Sequence, residues 1–465
     1  MIVPILIVGF ILRLVLINQS LWLDESIGVM AIRNLSVGEI LNYFSPGNFH
    51  PPFYYLVAKG WGNIFGFNEI SIRMVSVIAG VISIYGVYKI CLNIKIYSKK
   101  VINILGLKLD VAQVSALLLA INPLHIYYSQ DAWVYSLSTM FAVLTILQYQ
   151  KLVDCPNRIN VVLFALTSSL SIYTYYPLVF MLLAIAVHAL CFKKSVKYVL
   201  ISYLFVAVSF IPWLPIFHKQ LNVAAVAQRN LPLWWKVLGK TSIKSLMLVW
   251  VKFLIGKISF YTKYGYLAFV ATISVSPLFS LSRAWTAKRH LSIIWIWVVI
   301  PLIVSILAGI FGSGFSYFRL IFILPALLAL IAFGAFQLGS FALSMIVLGS
   351  LTSLVIFWIN PRFHRENWGD AVRYIESTQS TPKTISIFIN YSQTSPYRYY
   401  SRKIPVYSAK DWKSKGASHV WLFRYVQPIF DPEDELRKEI EKNGFTKLQE
   451  RDFNGVTIWE YKNNK

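Results

Sequence analysis

The chain has 465 residues, of which 57% are hydrophobic and 14% charged, and its formal net charge is +24. A soluble globular chain carries about 25% charged residues, so this composition excludes one and describes an integral membrane protein. The Lys and Arg fall in loops between apolar runs, the distribution of lipid contact and topology control; no arginine-rich arm or nucleic-acid module accompanies them, which excludes a nucleic-acid partner.

Apolar runs of spanning length fall at 1–18, 71–92, 109–127, 132–150, 160–176, 177–192, 196–216, 262–281, 291–311, 319–336 and 341–359, about eleven spans. The first is apolar apart from Arg13. It has no basic region before it and no small-residue cleavage site after it, so it is expected to stay as a helix. Arg13 itself is expected to have a structural partner. Three basic loops, Lys95/Lys99/Lys100/Lys108, Lys193/Lys194/Lys197 and Arg283/Lys288/Arg289, mark the cytoplasmic side. With them inside, the N-terminus is cytoplasmic and the region after Asn360 extracytoplasmic. Asp24-Glu25, His50, Asp131 and Arg319 then share the outer side. Cys91, Cys155 and Cys191 sit near cytoplasmic ends, where disulfides are not expected.

Asp24-Glu25 follows the first run directly. Before Asn360 the only carboxylates are Asp24, Glu25, Glu39, Glu69, Asp110, Asp131 and Asp154; the other thirteen of the 20 lie between Glu366 and Glu460. Charge is expensive to retain in a membrane-embedded chain, so acids kept there are functional candidates. A carboxylate can serve as base for a hydroxyl attacking a sugar carbon. The structural alternative is that Asp24 caps a helix over Ser26–Leu35 and Glu25 favours its dipole.

The outer loop 24–70 contains amphipathic stretches, Ser26–Leu35 and Val37–Phe44, expected to lie on the membrane surface. It ends in His50-Pro51-Pro52-Phe53-Tyr54-Tyr55, where prolines stiffen a turn and His50 can hydrogen-bond a phosphate or hydroxyl. Ser129-Gln130-Asp131-Ala132-Trp133 opens the fourth span. Asp131 is either a second site carboxylate or an N-cap. Tyr173, Tyr175 and Tyr176 are interfacial aromatics able to stack on sugar rings. Arg73, Lys263 and Arg319 stand at outer boundaries, as snorkelling cations or as groups that stabilise a departing phosphate.

The outer segment 217–261 carries Lys219, Arg229, Lys236, Lys240, Lys244, Lys252 and Lys257 among Leu, Trp and Val, and reads as one or two basic interfacial helices. Cations on the outer side break the positive-inside pattern and have a use there, such as a lipid phosphate. From Asn360 the composition changes. Strand-like runs at Thr384–Asn390, His419–Tyr425 and Val456–Tyr461 alternate with helical patterns at Glu366–Ser377 and Pro432–Asn443, with an N-cap and first-turn proline at Asp431-Pro432 and a stop at Asn443-Gly444. The expectation is a membrane domain over 1–359 and a small extracytoplasmic α/β domain over 360–465.

Together these residues resemble the bacterial members of the GT-C glycosyltransferase superfamily, related to protein O-mannosyltransferases and the aminoarabinose lipid A transferase. The matching pieces are Ser20-Leu21-Trp22-Leu23-Asp24-Glu25, His50-Pro51-Pro52-Phe53-Tyr54-Tyr55, Glu69-x-x-x-Arg73, Asn122-Pro123-x-His125 with Ser129-Gln130-Asp131-Ala132, and Arg319 ahead of Leu324-Pro325. The resemblance implies a polytopic helical enzyme that moves a sugar from a polyprenyl-phosphate donor to a lipid, glycan or protein acceptor. It implies Asp24 as base, with Glu25 and Asp131 beside it. His50, Tyr54, Tyr55, Arg73, Gln130 and Arg319 would contact substrate. One departure is Trp133, where relatives often carry Arg; another cation is then expected to hold the phosphate.

No Gly-rich phosphate loop, Asp-x-Asp or His-Glu-x-x-His is present, which speaks against a cytosolic nucleotide site. Arg, Lys or His can handle one leaving phosphate, so no cofactor is required, though a divalent ion is left open. The contrasting expectation is a transporter or flippase of lipid-linked sugars, with a polar path at the midplane and repeated halves.

Overall fold

The computed structural model describes residues 2–94, 100–104, 106–230, 233, 239–311, 314–378 and 383–463. Lys95, Lys99 and Lys236, and Gly312-Ser313 ahead of Arg319, lie outside the described residues.

The outer loop and the first spans form α1 (Ile2–Leu14), α2 (Leu23–Asn34), α3 (Phe53–Phe65), α4 (Glu69–Asn93), α5 (Val111–Ala120), α6 (Pro123–Ser129) and α7 (Val134–Asp154). They are followed by α8 (Arg158–Thr174), α9 (Leu178–Cys191) and α10 (Val196–Phe210), which continues through a 3-10 turn into α11 (Leu214–Asn230). Next come α12 (Ile243–Ile255), α13 (Lys263–Thr286), α14 (Ser292–Phe311), α15 (Leu324–Leu338) and α16 (Ser340–Ile359). Each of the eleven apolar runs carries a helix. Six described helices are long and apolar enough to cross a membrane, and the bent pair α5–α6 makes a seventh if counted as one span. The basic segment is divided: its first half extends α10, and its second half is the separate helix α12.

The bend of 59° between α5 and α6 is built by Asn122-Pro123. Pro123 has no N–H to continue the helix, and the Asn122 side chain caps α6 by accepting from the His125 N–H. The break frees carbonyls that lipid cannot satisfy. Arg13 of α1 supplies the missing donors, to Ala120 O at 3.0 Å and Leu119 O at 3.4 Å, and also bonds Ser129 Oγ at 3.2 Å. Gln130 Nε2 donates back to the carbonyls of Arg13 and Val15. Gly80 is small for the same reason: a Cβ there would stand 2.4 Å from Ser129 Oγ and 2.9 Å from Arg13 Nε. The Ser129–Trp133 turn is thereby fixed at the end of the bundle where α1 leads into α2.

The C-terminal region is a five-stranded mixed sheet covered by helices. Strands β1 (Ile102–Ile104) and β2 (Leu107–Leu109) form a separate hairpin between α4 and α5. The sheet itself contains β3 (Thr384–Phe388), β4 (Val406–Ser408), β5 (His419–Phe423), β6 (Phe445–Phe453) and β7 (Val456–Asn463), in the order β4-β3-β5-β7-β6. The pairs β3–β4 and β3–β5 are parallel; β5–β7 and β6–β7 are antiparallel. Strands β4 and β6 were not expected. Strand β6 is mostly exposed and polar, so its sequence lacks strand alternation. The turn Asn454-Gly455, both at positive φ, is the hairpin signal that identifies it. Trp368 of α17 (Trp368–Thr378) stacks on Phe423 at 5.8 Å and Phe388 at 6.2 Å, anchoring that helix to the sheet. α18 (Ser395–Tyr400) packs on α2. The last helix, α19, begins at Glu435 and ends at Lys442, with Asn443 as C-cap. Asp431 lies three residues before the N-cap position, Asp434, yet its carboxylate accepts from the N–H groups of Glu435 and Leu436.

Candidate active site at the outer end of the bundle

The link between α1 and α2 is pinned by one residue. Arg73, fully buried on α4, donates to the carbonyls of Ile17, Gln19 and Ser20 and pairs through Nε and Nη2 with both oxygens of Glu25 (2.8 and 2.5 Å). The same Glu25 carboxylate accepts from the Ala132 N–H at 2.7 Å and the Trp22 N–H at 3.3 Å. Helix α2 therefore starts at Leu23, not Ser26, and Glu25 closes its first turn from the N3 position. Burial alone would push the Glu25 carboxyl up; Arg73 and Arg365 outweigh it and hold it at about 2. Glu25 is a locked anion.

Asp24, one residue earlier, is half-buried and makes no hydrogen bond or ion pair with any described residue. Burial raises its carboxyl to about 7, with Asp131, Glu366 and Glu25 adding like charge. Its charge also bears on Tyr55 and Tyr135. Adjacent positions on one helix turn thus carry opposite assignments: a paired carboxylate, and a free one whose proton exchanges near neutrality.

Asp131 is buried beneath them. It does not cap α7, whose N-cap is Trp133. One oxygen accepts from Trp22 Nε1 at 3.0 Å and from Arg365 Nη1 at 3.2 Å; the other has no partner among the described residues. Burial raises its carboxyl to about 6 although Arg365 opposes the rise.

Arg365 and Glu366 come from the C-terminal region and were not among the sequence-selected residues. Arg365 reaches inward from the strand-like link after α16. It donates to Gln130 O at 3.0 Å, stands 3.9 Å from Glu25, and lies over the Tyr127 ring at 4.7 Å. Its own N–H is tied to Gln19 Oε1 at 2.7 Å, and Gly369 N–H to Ser20 Oγ at 3.0 Å, so the link is docked on the α1–α2 connection. Glu366 accepts from Tyr425 OH at 2.8 Å and Trp368 Nε1 at 3.0 Å, and burial raises its carboxyl. The available signal was position: Arg365-Glu366 lies six residues past the last apolar run, on the side assigned as outer.

Next to the acids is a packed cluster of aromatic rings. His50 meets Trp133 edge-on at 5.3 Å and Tyr175 at 5.8 Å; Tyr55 meets Trp133 at 5.9 Å, and Tyr135 meets Tyr175 at 6.0 Å. Gly28 of α2 lets this group close, since a Cβ would sit 3.3 Å from both Trp133 and Tyr55. Trp133, in the position where the family resemblance leads one to expect Arg, is buried in this cluster. Burial, and then the Arg319 charge, hold His50 down at about 3, so its imidazole is neutral. Arg319 is half-buried, packs by its guanidinium against Gly314 and Phe318, and makes no ion pair among the described residues. Lys257, from the basic segment, lies over the other approach to Tyr127 at 4.9 Å and reaches Tyr317 OH at 3.5 Å.

The structure thus separates the sequence-selected set. Asp24, Asp131, His50 and Arg319 gather at one end of the bundle. Three of the other expected substrate contacts, Arg73, Gln130 and Tyr55, are held by protein groups; the fourth, Tyr54, has a buried hydroxyl with no partner among the described residues. Arg73 is spent on Glu25 and the α1–α2 link, and Gln130 on the α1 carbonyls. Tyr54 is buried, and Tyr55 is buried with its hydroxyl accepting from Asn48 Nδ2. Arg73 and Gln130 satisfy buried backbone and charge that need partners, a demand that sequence alone does not distinguish from substrate contact. Among the described residues no group of three or more His, Cys, Asp or Glu is placed to hold a metal ion.

Residues 49–216 match the family model described as dolichyl-phosphate-mannose-protein mannosyltransferase. No curated protein sequence matches the chain. Among solved structures, the chain is similar to ArnT from Cupriavidus metallidurans bound to undecaprenyl phosphate (12% identity, 99% of this chain and 97% of that one, TM-score 0.62). It is also similar to the archaeal oligosaccharyltransferase AglB from Archaeoglobus fulgidus in complex with an inhibitory peptide and a dolichol-phosphate (12% identity, 98% and 74%, TM-score 0.51). These likenesses are of fold, along the whole chain.

Proposed function

We propose that this chain, a membrane glycosyltransferase of the GT-C superfamily, moves a sugar from a polyprenyl-phosphate donor to an extracytoplasmic lipid, glycan or protein acceptor. The N-terminus is cytoplasmic in this reading, and the α/β domain lies outside the cell membrane. The observation that carries it is the division between Glu25, locked by Arg73, and Asp24, unpaired and poised near neutral pH. A general base works best with its pKa near the working pH.

The acceptor hydroxyl gives its proton to an Asp24 oxygen while its own oxygen attacks the anomeric carbon. The bond from that carbon to the phosphate oxygen breaks, and polyprenyl phosphate leaves with the electron pair. Arg319 and Lys257, cations without an ion-pair partner among the described residues, stabilise the leaving phosphate. The neutral imidazole of His50 adds an N–H donor. Asp131 and Arg365 shape the field around Asp24 and do not touch the reacting atoms. Single displacement inverts the anomeric carbon. The residues supply base and cations, so no cofactor enters the proposal.

The test is mass-spectrometric detection of free polyprenyl phosphate from a panel of polyprenyl-phosphate sugars with cell-envelope acceptors. Wild type releases it and Asp24→Asn does not. Equal release by both would remove Asp24 as the base. A flippase would move lipid-linked sugar across vesicles equally well with either.

A further inference from the structure

A cavity lies away from Asp24 and Asp131, on the seam between the bundle and the α/β domain. It is a cleft of about 500 Å³ lined by Arg33 of α2, Phe67, Asn68 and Glu69 at the start of α4, and Tyr399, Tyr400 and Arg402 of the C-terminal region. We propose that this cleft is an acceptor subsite for an anionic sugar, one bearing a carboxylate or a phosphate. The proposal rests on the transferase reading for the word acceptor and on the cleft alone for the ligand class.

Four observations support it. First, Arg33 and Arg402 are exposed, and neither guanidinium has a hydrogen bond or ion pair among the described residues. Two unpaired guanidiniums facing one cavity are suited to a carboxylate or phosphate, which they grip by paired N–H donors. Second, the single acid of the lining is engaged: Glu69 Oε1 accepts from Tyr400 OH at 2.8 Å, so its charge is partly taken up inside the wall. Third, the rest of the lining suits a sugar ring. Tyr399 and Tyr400 stand nearly perpendicular, 4.8 Å apart, with both hydroxyls already committed, Tyr399 to Phe67 O and Tyr400 to Glu69. Their ring surfaces are what remains for a ligand. Asn68 spends its oxygen on the cap of α4, accepting from Ser71 N–H at 2.9 Å, and keeps its NH₂ for a hydroxyl.

The fourth observation is position. Arg33 and Asp24 lie on the same helix, nine residues apart, which is about 13 Å along its axis and about half a turn around it. The Tyr400 hydroxyl that forms the cleft wall also accepts from Leu21 N–H, three residues before Asp24. An acceptor that puts a hydroxyl at Asp24 reaches this cleft only through further units that pass around α2 beside the Tyr400–Leu21 contact. Both halves of the chain build the wall, so docking of the C-terminal region completes the subsite.

The test uses the full-length protein in detergent and saturation-transfer NMR with four probes: methyl glucuronide, glucose 6-phosphate, methyl glucoside and inorganic phosphate. At least one of the two anionic sugars gives saturable transfer to its ring protons, and the better of them names the anionic group. Arg33→Gln and Arg402→Gln each weaken that binding about tenfold, and Arg33→Lys by less. Binding is unchanged in Asp24→Asn. Equal transfer to methyl glucoside overturns the requirement for charge. Displacement by phosphate with no transfer to ring protons overturns the sugar. Undiminished binding in the double Gln variant, or no binding by wild type, overturns the cleft. Polyprenyl phosphate release separates this from the transferase reading. Release without sugar-acid binding sinks the subsite only; binding without release keeps the subsite and sinks the transferase.

Discussion

The helical bundle and the C-terminal α/β domain carry charge under opposite conditions. In the bundle each retained acid or cation is costly, and nearly every buried one has an identifiable role. Arg13 satisfies a broken helix, Arg73 holds Glu25, and Asp24 stands free. In the α/β domain charge is cheap. Arg373–Asp370 and Lys447–Glu450 are exposed pairs between residues three apart, with little to stabilise. Yet from this charge-rich region comes Arg365, the cation that enters the acid cluster. Scarcity marks function where burial is the rule, and gives no mark where solvent is.

Substitutions can widen or abolish that contrast. The largest effect is expected from Asp24→Asn, a loss of transfer of about 10²–10⁴-fold, the usual contribution of a general base. Folding should be unaffected, since the carboxylate has no partner to lose. Next is pH. The Asp24 carboxyl is raised to about 7 and acts only when ionised, so activity is lost as pH falls through that value. The initial rate at pH 5 should be roughly a hundredfold below its plateau, tenfold per unit. A rate flat from pH 5 to 8 would contradict a base in this environment.

Arg73→Ala probes the bundle's structural charge. It strands the fully buried Glu25 and is expected to cost about 3–5 kcal/mol, read as a large fall in thermal unfolding temperature. A stable Arg73→Ala protein with impaired donor binding would return Arg73 to the substrate. Arg365→Gln probes the contribution of the other region. About a tenfold fall in turnover is expected, with the acid limb moving to lower pH. Without Arg365, Asp131 takes a proton near neutrality, and its charge no longer opposes ionisation of Asp24. Arg365→Lys should restore most of the profile; a purely structural residue would leave the limb in place. The smallest effect is expected from Arg373→Ala, whose exposed pair should leave the unfolding temperature within error.

How much of this was legible varies by residue. Asp24, Glu25 and Asp131 stand out in the sequence because so few acids precede Asn360. What separates them is not local. Asp24 and Glu25 are neighbours of the same chemistry, and the distinction arises because Arg73, forty-eight residues on, fits one of them. Tyr55, Gln130 and Arg73 look like site residues by the same polar criterion, and in the fold their polar groups are taken up by protein partners. Lys257 was visible only as one of seven outer cations; the fold places it beside Tyr127 and Tyr317. Strand β6 escaped because an exposed edge strand needs no apolar alternation, although Asn454-Gly455 marks its turn.

A helical membrane protein with a polar α/β region appended can be read from residues in order, because hydropathy and charge scarcity follow from solvent and depend on no partner. So can the places where chemistry collects, since the cost of burial filters residues one at a time. Folding was needed to choose which carboxylate is free, to bring Arg365 into the site, and to turn Arg33 and Arg402 toward one cleft. Those are pairings between residues distant in the chain. The energy of a pairing depends on distance and shared burial, which local sequence does not encode.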